Sequence, residues 1–411
     1  MTSSSQVRRL LGARGLRAFG DGYVSLLLPV YLLQLGLTPL EVGVIATGTL
    51  LGSGALTLLV GLHAYRFRYR TLLLAAAALM VATGAGFAAL TSFWPLLVVA
   101  VVGTLNPSSG DVSVFLPLEQ AVLAHVVSDR QRTATFARYS LVGALVGALG
   151  ALFASTPELV VGRFGIDTRT AIQVMFVLYA FLGVAAALVY HQLPRALEAE
   201  TSAPAAPLCE SKRIVYTLAA LFSLDAFGGG FIVQSMLALW LFERFELSVA
   251  TAATIFFWTG VLSALSYLVA VRIANRIGLL YTMVFTHLPS SILLIMTPFV
   301  PSLAWAVVLL FIRSALSQMD VPTRNSYVMA VVSPRERAAA ASVTSVPRSL
   351  ASAASPMIAG YLLGLSSFGW PLIAAGGLKI VYDLALLATF RTVRPPEERA
   401  TAPASAKRMG A

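Results

Sequence analysis

Seven charged side chains interrupt long apolar stretches of this 411-residue sequence, and their types suit them to ion pairing and proton binding. A carboxylate removed from water holds a proton more strongly, because desolvation penalises its charged form. A charge inside an apolar stretch is costly unless it faces a partner or a water-filled path. We therefore predict a path for solute and protons at these candidate residues, which are Asp21, Asp111, Glu119, Asp225, Arg313, Asp320 and Arg324.

The densest polar stretch is "NPSSGDVSVFLPLEQ", residues 106–120, inside an apolar run that spans 96–127. Pro107, Gly110 and Pro117 favour a bent or broken helix. Such a break is tolerated within a membrane where the freed backbone lines a cavity. The stretch is the candidate working face of the fourth predicted segment.

The elements that must hold these residues are predicted from composition. The chain is 58% hydrophobic and only 11% charged, whereas soluble domains carry about 25% charged residues. Apolar stretches of about 20 residues suffice to cross a bilayer as helices, and nothing in them alternates as a barrel strand does. We predict an all-α membrane protein with twelve transmembrane helices, at 17–37, 39–62, 71–91, 96–127, 134–156, 168–190, 213–241, 248–271, 278–298, 302–332, 338–364 and 367–390.

The distribution of basic residues predicts the orientation. Of 29 Lys and Arg residues, 21 lie in the N-terminus, the C-terminal tail and the even-to-odd connections, and only Arg163, Arg169 and Arg244 lie in the opposite loops. The positive-inside rule then puts both termini in the cytoplasm, and we expect no removed signal peptide. The net charge of +11 is explained by loops that face anionic lipid, so we expect no nucleic-acid partner.

An internal repeat divides the chain. Residues 126–137, "VVSDRQRTATFA", match 331–342, "VVSPRERAAAAS", at six positions with a constant offset of 205. The same offset aligns Glu119 with Arg324. Two similar six-helix halves are typical of parallel-repeat transporters whose substrate path lies between the halves. The predicted divisions are an N-terminal bundle at 1–190, a cytoplasmic linker at 191–212, a C-terminal bundle at 213–390 and a cytoplasmic tail at 391–411.

The chain resembles the major facilitator superfamily, and in particular its bacterial twelve-helix exporters. The 2–3 connection "GLHAYRFRYR" retains part of that family's signature but places Tyr65 where an Asp is expected, and the 8–9 connection "NRIGLL" is similar. "GALFAS" at 150–155 lacks the family's antiporter Gly-Pro. The resemblance implies a major facilitator fold with two pseudo-symmetric six-helix bundles, and a cytoplasmic conformational latch at Gly61, Arg66, Arg70, Asn275, Arg276 and Gly278.

In that family helices 1, 4, 7 and 10 line the central cavity, and the seven charged residues fall on those segments. Arg313, Asp320 and Arg324 are spaced to share one helix face. The structural alternative is local pairing of residues four apart, Arg17 with Asp21, Asp320 with Arg324 and Lys379 with Asp383. We prefer that alternative for Lys379 with Asp383, and we favour a functional role for Arg313, Asp320 and Arg324. We expect Glu119 to carry or control the coupling proton and to pair with Arg324 across the halves.

The predicted function is secondary active transport by alternating access in the bacterial inner membrane, by a monomer. Proton-coupled efflux of a small organic compound is the first hypothesis, and a cationic or amphipathic compound is favoured because the cavity helices carry five acids against two bases. Nutrient uptake is the alternative. An enzyme acting on a lipid would need acidic or His motifs clustered at one interface, so we do not expect an enzyme. Without a nucleotide loop or a metal-binding motif, we expect no cofactor and no metal.

Overall fold

The structure of the protein, a computed structural model, describes residues 3–63, 67–108, 113–127, 129–194, 208–333 and 336–393. In these ranges the regular structure is helical, apart from turns and short connections. The N-terminal half contains α1 (Ser3–Gln34), α2 (Pro39–His63), α3 (Tyr69–Ala89), α4 (Phe93–Val102), α5 (Phe115–Val126), α6 (Asp129–Phe153), α7 (Thr156–Phe164) and α8 (Thr168–His191). The C-terminal half contains α9 (Lys212–Gly230), α10 (Gln234–Phe245), α11 (Val249–Ile277), α12 (Leu279–Met296), α13 (Leu303–Ser317), α14 (Asp320–Val331), α15 (Arg337–Leu365) and α16 (Trp370–Phe390).

The helices follow the predicted apolar segments. By length and composition alone, ten stretches of the described residues are long and apolar enough to cross a membrane. The remaining two predicted segments are occupied by α4 with α5 and by α15. A helix satisfies its own backbone hydrogen bonds, which hydrocarbon cannot do. The predicted all-α, multi-span fold is confirmed.

Three of the predicted segments are interrupted near their middle. Segment four divides into α4 and α5, segment seven into α9 and α10, and segment ten into α13 and α14. The break predicted at 106–120 is present, because α4 ends at Val102 and α5 begins at Phe115. Pro117 lies in the first turn of α5, where a missing N–H removes no helical hydrogen bond. Gly110 and Asp111 lie outside the described residues.

The halves meet where α2 crosses α15. A Cβ added to Gly43 would lie 2.4 Å from the carbonyl oxygen of Pro356, and one added to Gly360 would lie 2.3 Å from that of Pro39. Small residues at a crossing let two membrane helices touch through their backbones. The Met357 amide also donates to Thr47 Oγ1 at 2.9 Å, so this crossing carries both packing and a hydrogen bond.

The hydrophobic core shows at which end the halves are joined. The main cluster runs from the N-terminal half into residues such as Met236, Leu363 and Leu372, which lie toward the 7–8 and 11–12 connections. A separate cluster that includes Val215 and Phe390 lies wholly within the C-terminal half, at the other end of its helices. We call the end with the 5–6 and 7–8 connections the closed end, and the opposite end the open end.

The predicted domain boundaries stay a prediction. Helix α8 ends at His191 and α9 begins at Lys212. Most of that linker, and all but the first residues of the tail at 391–411, lie outside the described residues.

Candidate functional site

The N-terminal half holds a buried ion pair, which with its tyrosines we call the Glu119 cluster: Arg17, Glu119, Tyr139 and Tyr190. Glu119 on α5 is fully buried. Its carboxylate accepts hydrogen bonds from Arg17 Nη2 and the Tyr139 hydroxyl, and from the Tyr190 hydroxyl at 2.6 Å. Arg17 Nε also donates to Tyr190 Oη at 3.1 Å. Both charges are therefore compensated inside one half of the molecule.

The alternative of a local Arg17–Asp21 pair is not adopted, because the Arg17 guanidinium turns to Glu119 on a neighbouring helix. It stacks over the Phe115 ring, 4.2 Å from the centroid. Asp21 is also buried and lies 3.4 Å from the Tyr179 hydroxyl. That hydroxyl donates to the Thr104 carbonyl at 3.2 Å, so Asp21 lies beside the break in segment four.

The C-terminal half holds a larger network, the Asp225 cluster, made of Asp225, His287, Asp320, Arg324, Lys379 and Asp383. Asp225 Oδ1 lies 2.7 Å from Lys379 Nζ, and Asp225 Oδ2 lies 3.2 Å from Arg324 Nη1. The same Arg324 nitrogen lies 3.0 Å from Asp320 Oδ2, so the local Asp320–Arg324 pair that the spacing allows is present. One carboxylate thus joins α9 to α14 and α16.

His287 connects this network to Asp383. Its Nδ1 lies 3.0 Å from both Asp383 carboxylate oxygens, and its Nε2 lies 3.5 Å from Lys379 Nζ. The predicted Lys379–Asp383 pair is therefore wrong: Lys379 reaches Asp225 and leaves Asp383 to the imidazole. Sequence reasoning missed His287, although Asp225 has no basic residue within four positions and so required a partner on another helix.

Glu119 and Arg324 do not pair with each other in this structure, because each has partners within its own half. The predicted common face of Arg313, Asp320 and Arg324 is also interrupted. Arg313 lies on α13, before the helix break, and the other two lie on α14. The Nε of Arg313 is buried without a hydrogen-bond partner. Asp111 lies outside the described residues.

A further carboxylate joins the halves at the closed end. Glu158 on α7 accepts hydrogen bonds from the backbone amides of Val249 at 2.6 Å and Ala250 at 2.9 Å. These amides begin α11, and the first amides of a helix have no partner within it. The negative side chain also suits the positive end of the helix dipole. No motif predicted this contact.

The predicted latch residues lie near the open end and remain a proposal. Gly61 lies in α2, Arg70 at the start of α3, and Gly278 directly after α11 with a φ of +89°. Asn275 and Arg276 are exposed, and within the described ranges we find no hydrogen bond from either to the N-terminal half. Arg66 lies outside those ranges.

Near the same end, Glu336 binds the segment that begins α9. Its carboxylate accepts hydrogen bonds from the amides of Cys209 at 2.6 Å, Glu210 at 2.9 Å and Ser211 at 2.9 Å. These backbone hydrogen bonds, that of Cys209 above all, lower the pKa of Glu336 to about 2. Glu336 is thus a charged cap at a helix start outside the membrane-spanning segments.

Comparisons with known proteins agree with this architecture. The family model described as Major Facilitator Superfamily matches residues 10–312 and 218–410. An uncharacterized membrane protein of Saccharomyces cerevisiae is 25% identical over 423 residues, which is 94% of each chain. Similarity to a yeast protein gives no particular support to a bacterial source.

Several solved structures share the fold at low sequence identity. A point mutant of the nucleoside transporter NupG matches with a TM-score of 0.75 and 14% identity, over 94% of this chain and 100% of that one. A bacterial homolog of the human lysosomal transporter Spinster, inward-facing and occupied, gives 0.71 and 15%, over 95% and 97%. The human organic anion transporter MFSD10 gives 0.68 and 15%, over 94% and 100%.

Proposed function

The chain belongs to the Major Facilitator Superfamily, and on that premise we propose that it exports a small organic solute in exchange for protons. Members of this family are secondary transporters and not enzymes, so the lipid-enzyme alternative is set aside. Secondary transport follows from the family, whereas the class of solute, the direction of transport and the coupling to protons are our proposal. Uptake of a nutrient is the competing direction.

The observation that carries the proposal is the unequal contact between the halves. Glu158 bonds to the start of α11 and Thr47 to Met357 at the closed end, whereas toward the open end a separate cluster of the described residues packs within the C-terminal half alone. Alternating access requires that one end open while the other is sealed. The structure is thus consistent with one state of such a cycle.

Proton coupling is supported by the Glu119 cluster. A buried carboxylate held by a guanidinium can release that partner only if it gains a proton or another cation, because an unpaired buried charge is strongly destabilising. Protonation of Glu119 would free Arg17, and the hydroxyls of Tyr139 and Tyr190 could stay hydrogen-bonded to the neutral acid. We propose that a proton replaces Arg17 as the partner of Glu119, and that this replacement allows α1 to move against α5.

The structure removes the reason for expecting a cationic solute. It rested on an excess of carboxylates in the cavity helices, but Glu119, Asp225 and Asp320 each have a basic partner. Arg17 and Lys379, which the count omitted, supply two of these partners. These three carboxylates therefore give no preference for a cationic solute.

The test is solute-driven proton movement in proteoliposomes that contain the purified protein and a trapped pH-sensitive dye. We expect at least one member of a broad solute panel to change the internal pH, in a direction that distinguishes exchange from co-transport. Glu119→Gln should lose this signal while keeping solute-for-solute exchange. Solute uptake that moves no protons, in either the wild type or the variant, would reject proton coupling but leave transport intact.

The proposed orientation, with both termini and the 191–212 linker cytoplasmic in the plasma membrane, has its own test. Cys209 is the single cysteine of the chain and is exposed. A membrane-impermeant maleimide should label it in inside-out vesicles and leave it unlabelled in intact cells. Labelling of intact cells would reverse the orientation and make the open end extracellular.

A further inference from the structure

Arg348 on α15 is a cation within a membrane helix that has no counter-ion among the described residues. Its Nε is buried and has no hydrogen-bond partner. Within the described ranges, no carboxylate oxygen lies within 4.0 Å of an Arg348 guanidinium nitrogen, the distance that defines an ion pair. The residue as a whole is partly exposed, so the donor that is costly to leave unsatisfied is the buried Nε–H, one of the five N–H donors of a guanidinium.

The position of Arg348 follows from the packing of α15 on α9. Arg348, Ser352 and Ser355 are spaced four and three apart, so they share one helix face. Ser355 Oγ donates to the Phe227 carbonyl at 2.5 Å, and a Cβ on Gly230 would lie 2.2 Å from the Ser352 carbonyl. Arg348 precedes Ser352 by about one turn, and it lies within electrostatic range of Asp225, Asp320 and Arg324 of the Asp225 cluster.

The acids of that cluster are already engaged. Asp225 has Lys379 and Arg324, Asp320 has Arg324, and Asp383 has His287. Arg348 lies within electrostatic range of Arg324, which repels it, and of Asp225 and Asp320, which attract it. Both acids form their ion pairs with other bases, so among the residues that the structure describes Arg348 shares the region of Arg324 without a hydrogen-bonded carboxylate of its own.

We propose that Arg348, with Arg324 beside it, binds an anionic group of the transported solute, of the carboxylate or phosphate class. A planar guanidinium matches both groups through paired hydrogen bonds. An anion between the two arginines would satisfy the free donors and remove the repulsion. This inference rests on the proposed transport function and names the class of its substrate.

The experiment measures thermal unfolding in phosphatidylcholine nanodiscs with four matched probes: benzoate, phenyl phosphate, neutral benzamide and benzyltrimethylammonium. A ligand that binds the folded state raises the unfolding temperature with concentration. We expect benzoate or phenyl phosphate to stabilise the wild type and the other two to have no effect. Arg348→Gln should weaken the apparent affinity for the anion by about tenfold or more.

Two further variants separate binding from folding. Arg348→Lys keeps the positive charge but not the planar guanidinium with its paired N–H donors, and should retain part of the affinity for the anion. Arg169→Gln removes a charge from an exposed position and should bind as the wild type does. Anion stabilisation that persists in Arg348→Gln, stabilisation by the neutral or cationic probe alone, or no stabilisation by either anion would each overturn the inference.

Lipid and soluble sources of the anion are distinguished by repeating the titration in nanodiscs that contain phosphatidylglycerol. Loss of the benzoate or phenyl phosphate response there assigns the site to a lipid headgroup, and an unchanged response assigns it to a soluble anion. Solute-driven proton flux tests the proposed function separately. Flux with only neutral or cationic solutes, unchanged by Arg348→Gln, would keep the transporter and reject the anion site.

Discussion

The two halves place a buried ion pair on corresponding helices but with the signs exchanged. In the N-terminal half the base is Arg17 on α1 and the acid is Glu119 on α5. In the C-terminal half the acid is Asp225 on α9 and the base is Arg324 on α14. Glu119 and Arg324 are equivalent under the 205-residue repeat. The other members are not equivalent, because the same offset places Arg17 opposite Phe222, three residues before Asp225. The halves thus share an ion pair between corresponding helices and one of its two positions, with the charge at that position reversed.

The surroundings of the two pairs differ in how they can respond to a proton. Neutral tyrosine hydroxyls complete the Glu119 cluster, whereas the Asp225 cluster is completed by other charged or titratable groups, Lys379 and His287. Removing one charge from the first leaves its partner with no ionic substitute among the described contacts. In the second, Arg324 keeps Asp320 when Asp225 is removed, and Lys379 keeps His287 Nε2 within 3.5 Å, so we expect the two halves to lose different amounts of stability.

The largest expected effect is at Arg17. Arg17→Gln leaves the buried Glu119 carboxylate without its cation, which should cost about 3–5 kcal/mol of stability. The double variant Arg17→Gln with Glu119→Gln removes both charges and should recover most of that loss. Thermal unfolding of the purified proteins measures both. A double variant no more stable than the single one would show that the charges are not coupled.

The matching change in the other half should be milder. Asp225→Asn leaves Arg324 with Asp320, and Lys379 near His287, so we expect a stability loss of about 1–3 kcal/mol. Transport should fall by about tenfold or more, because α9 is no longer tied to α14 and α16. Equal destabilisation by Asp225→Asn and Arg17→Gln would contradict the proposed difference between the halves.

A smaller effect is expected at the contact between the halves. Glu158→Ala removes the acceptor for two amides of α11. If the closed state is destabilised by about 1 kcal/mol, the fraction of molecules in which this end is open rises about fivefold. Spin labels at Arg163→Cys and Arg244→Cys, in a Cys209→Ser background, measure the distance across that end. Glu243→Ala, an exposed carboxylate in the same region, is the control and should leave the distance distribution unchanged.

The smallest effect concerns Glu336, whose repeat-equivalent residue is the non-titrating Gln131. Since folding lowers the pKa of Glu336 to about 2, its contribution is complete above its ordinary pKa of about 4.3. That contribution is lost as the pH falls from there toward 2. Glu336→Gln should therefore lower stability at pH 7 and flatten the acid dependence over that window. An identical pH profile for both proteins would show that the carboxylate does not act as a cap.

Sequence reasoning predicted the helical segments well, because the length of apolar stretches and the cost of exposed backbone in a membrane leave few alternatives. It also located Glu119, Asp225 and Arg324, since isolated charges stand out in such stretches. It did not identify the ion-pair partners that these charged residues have on other helices. A partner four residues away was an alternative for Arg17 and the preferred partner for Lys379, but both side chains reach acids on other helices. Such contacts depend on helix packing, which the periodicity of a sequence does not contain.

One hydrogen bond near the centre links the two interrupted helices of opposite halves: the Ser235 amide donates to the Pro107 carbonyl at 3.0 Å. When the halves part at this level, both groups must turn to water, and the amide hydrogen then becomes exchangeable. Deuterium uptake at Ser235 would therefore count the openings of the central path. A single backbone position could report how often the transporter cycles before any solute is identified.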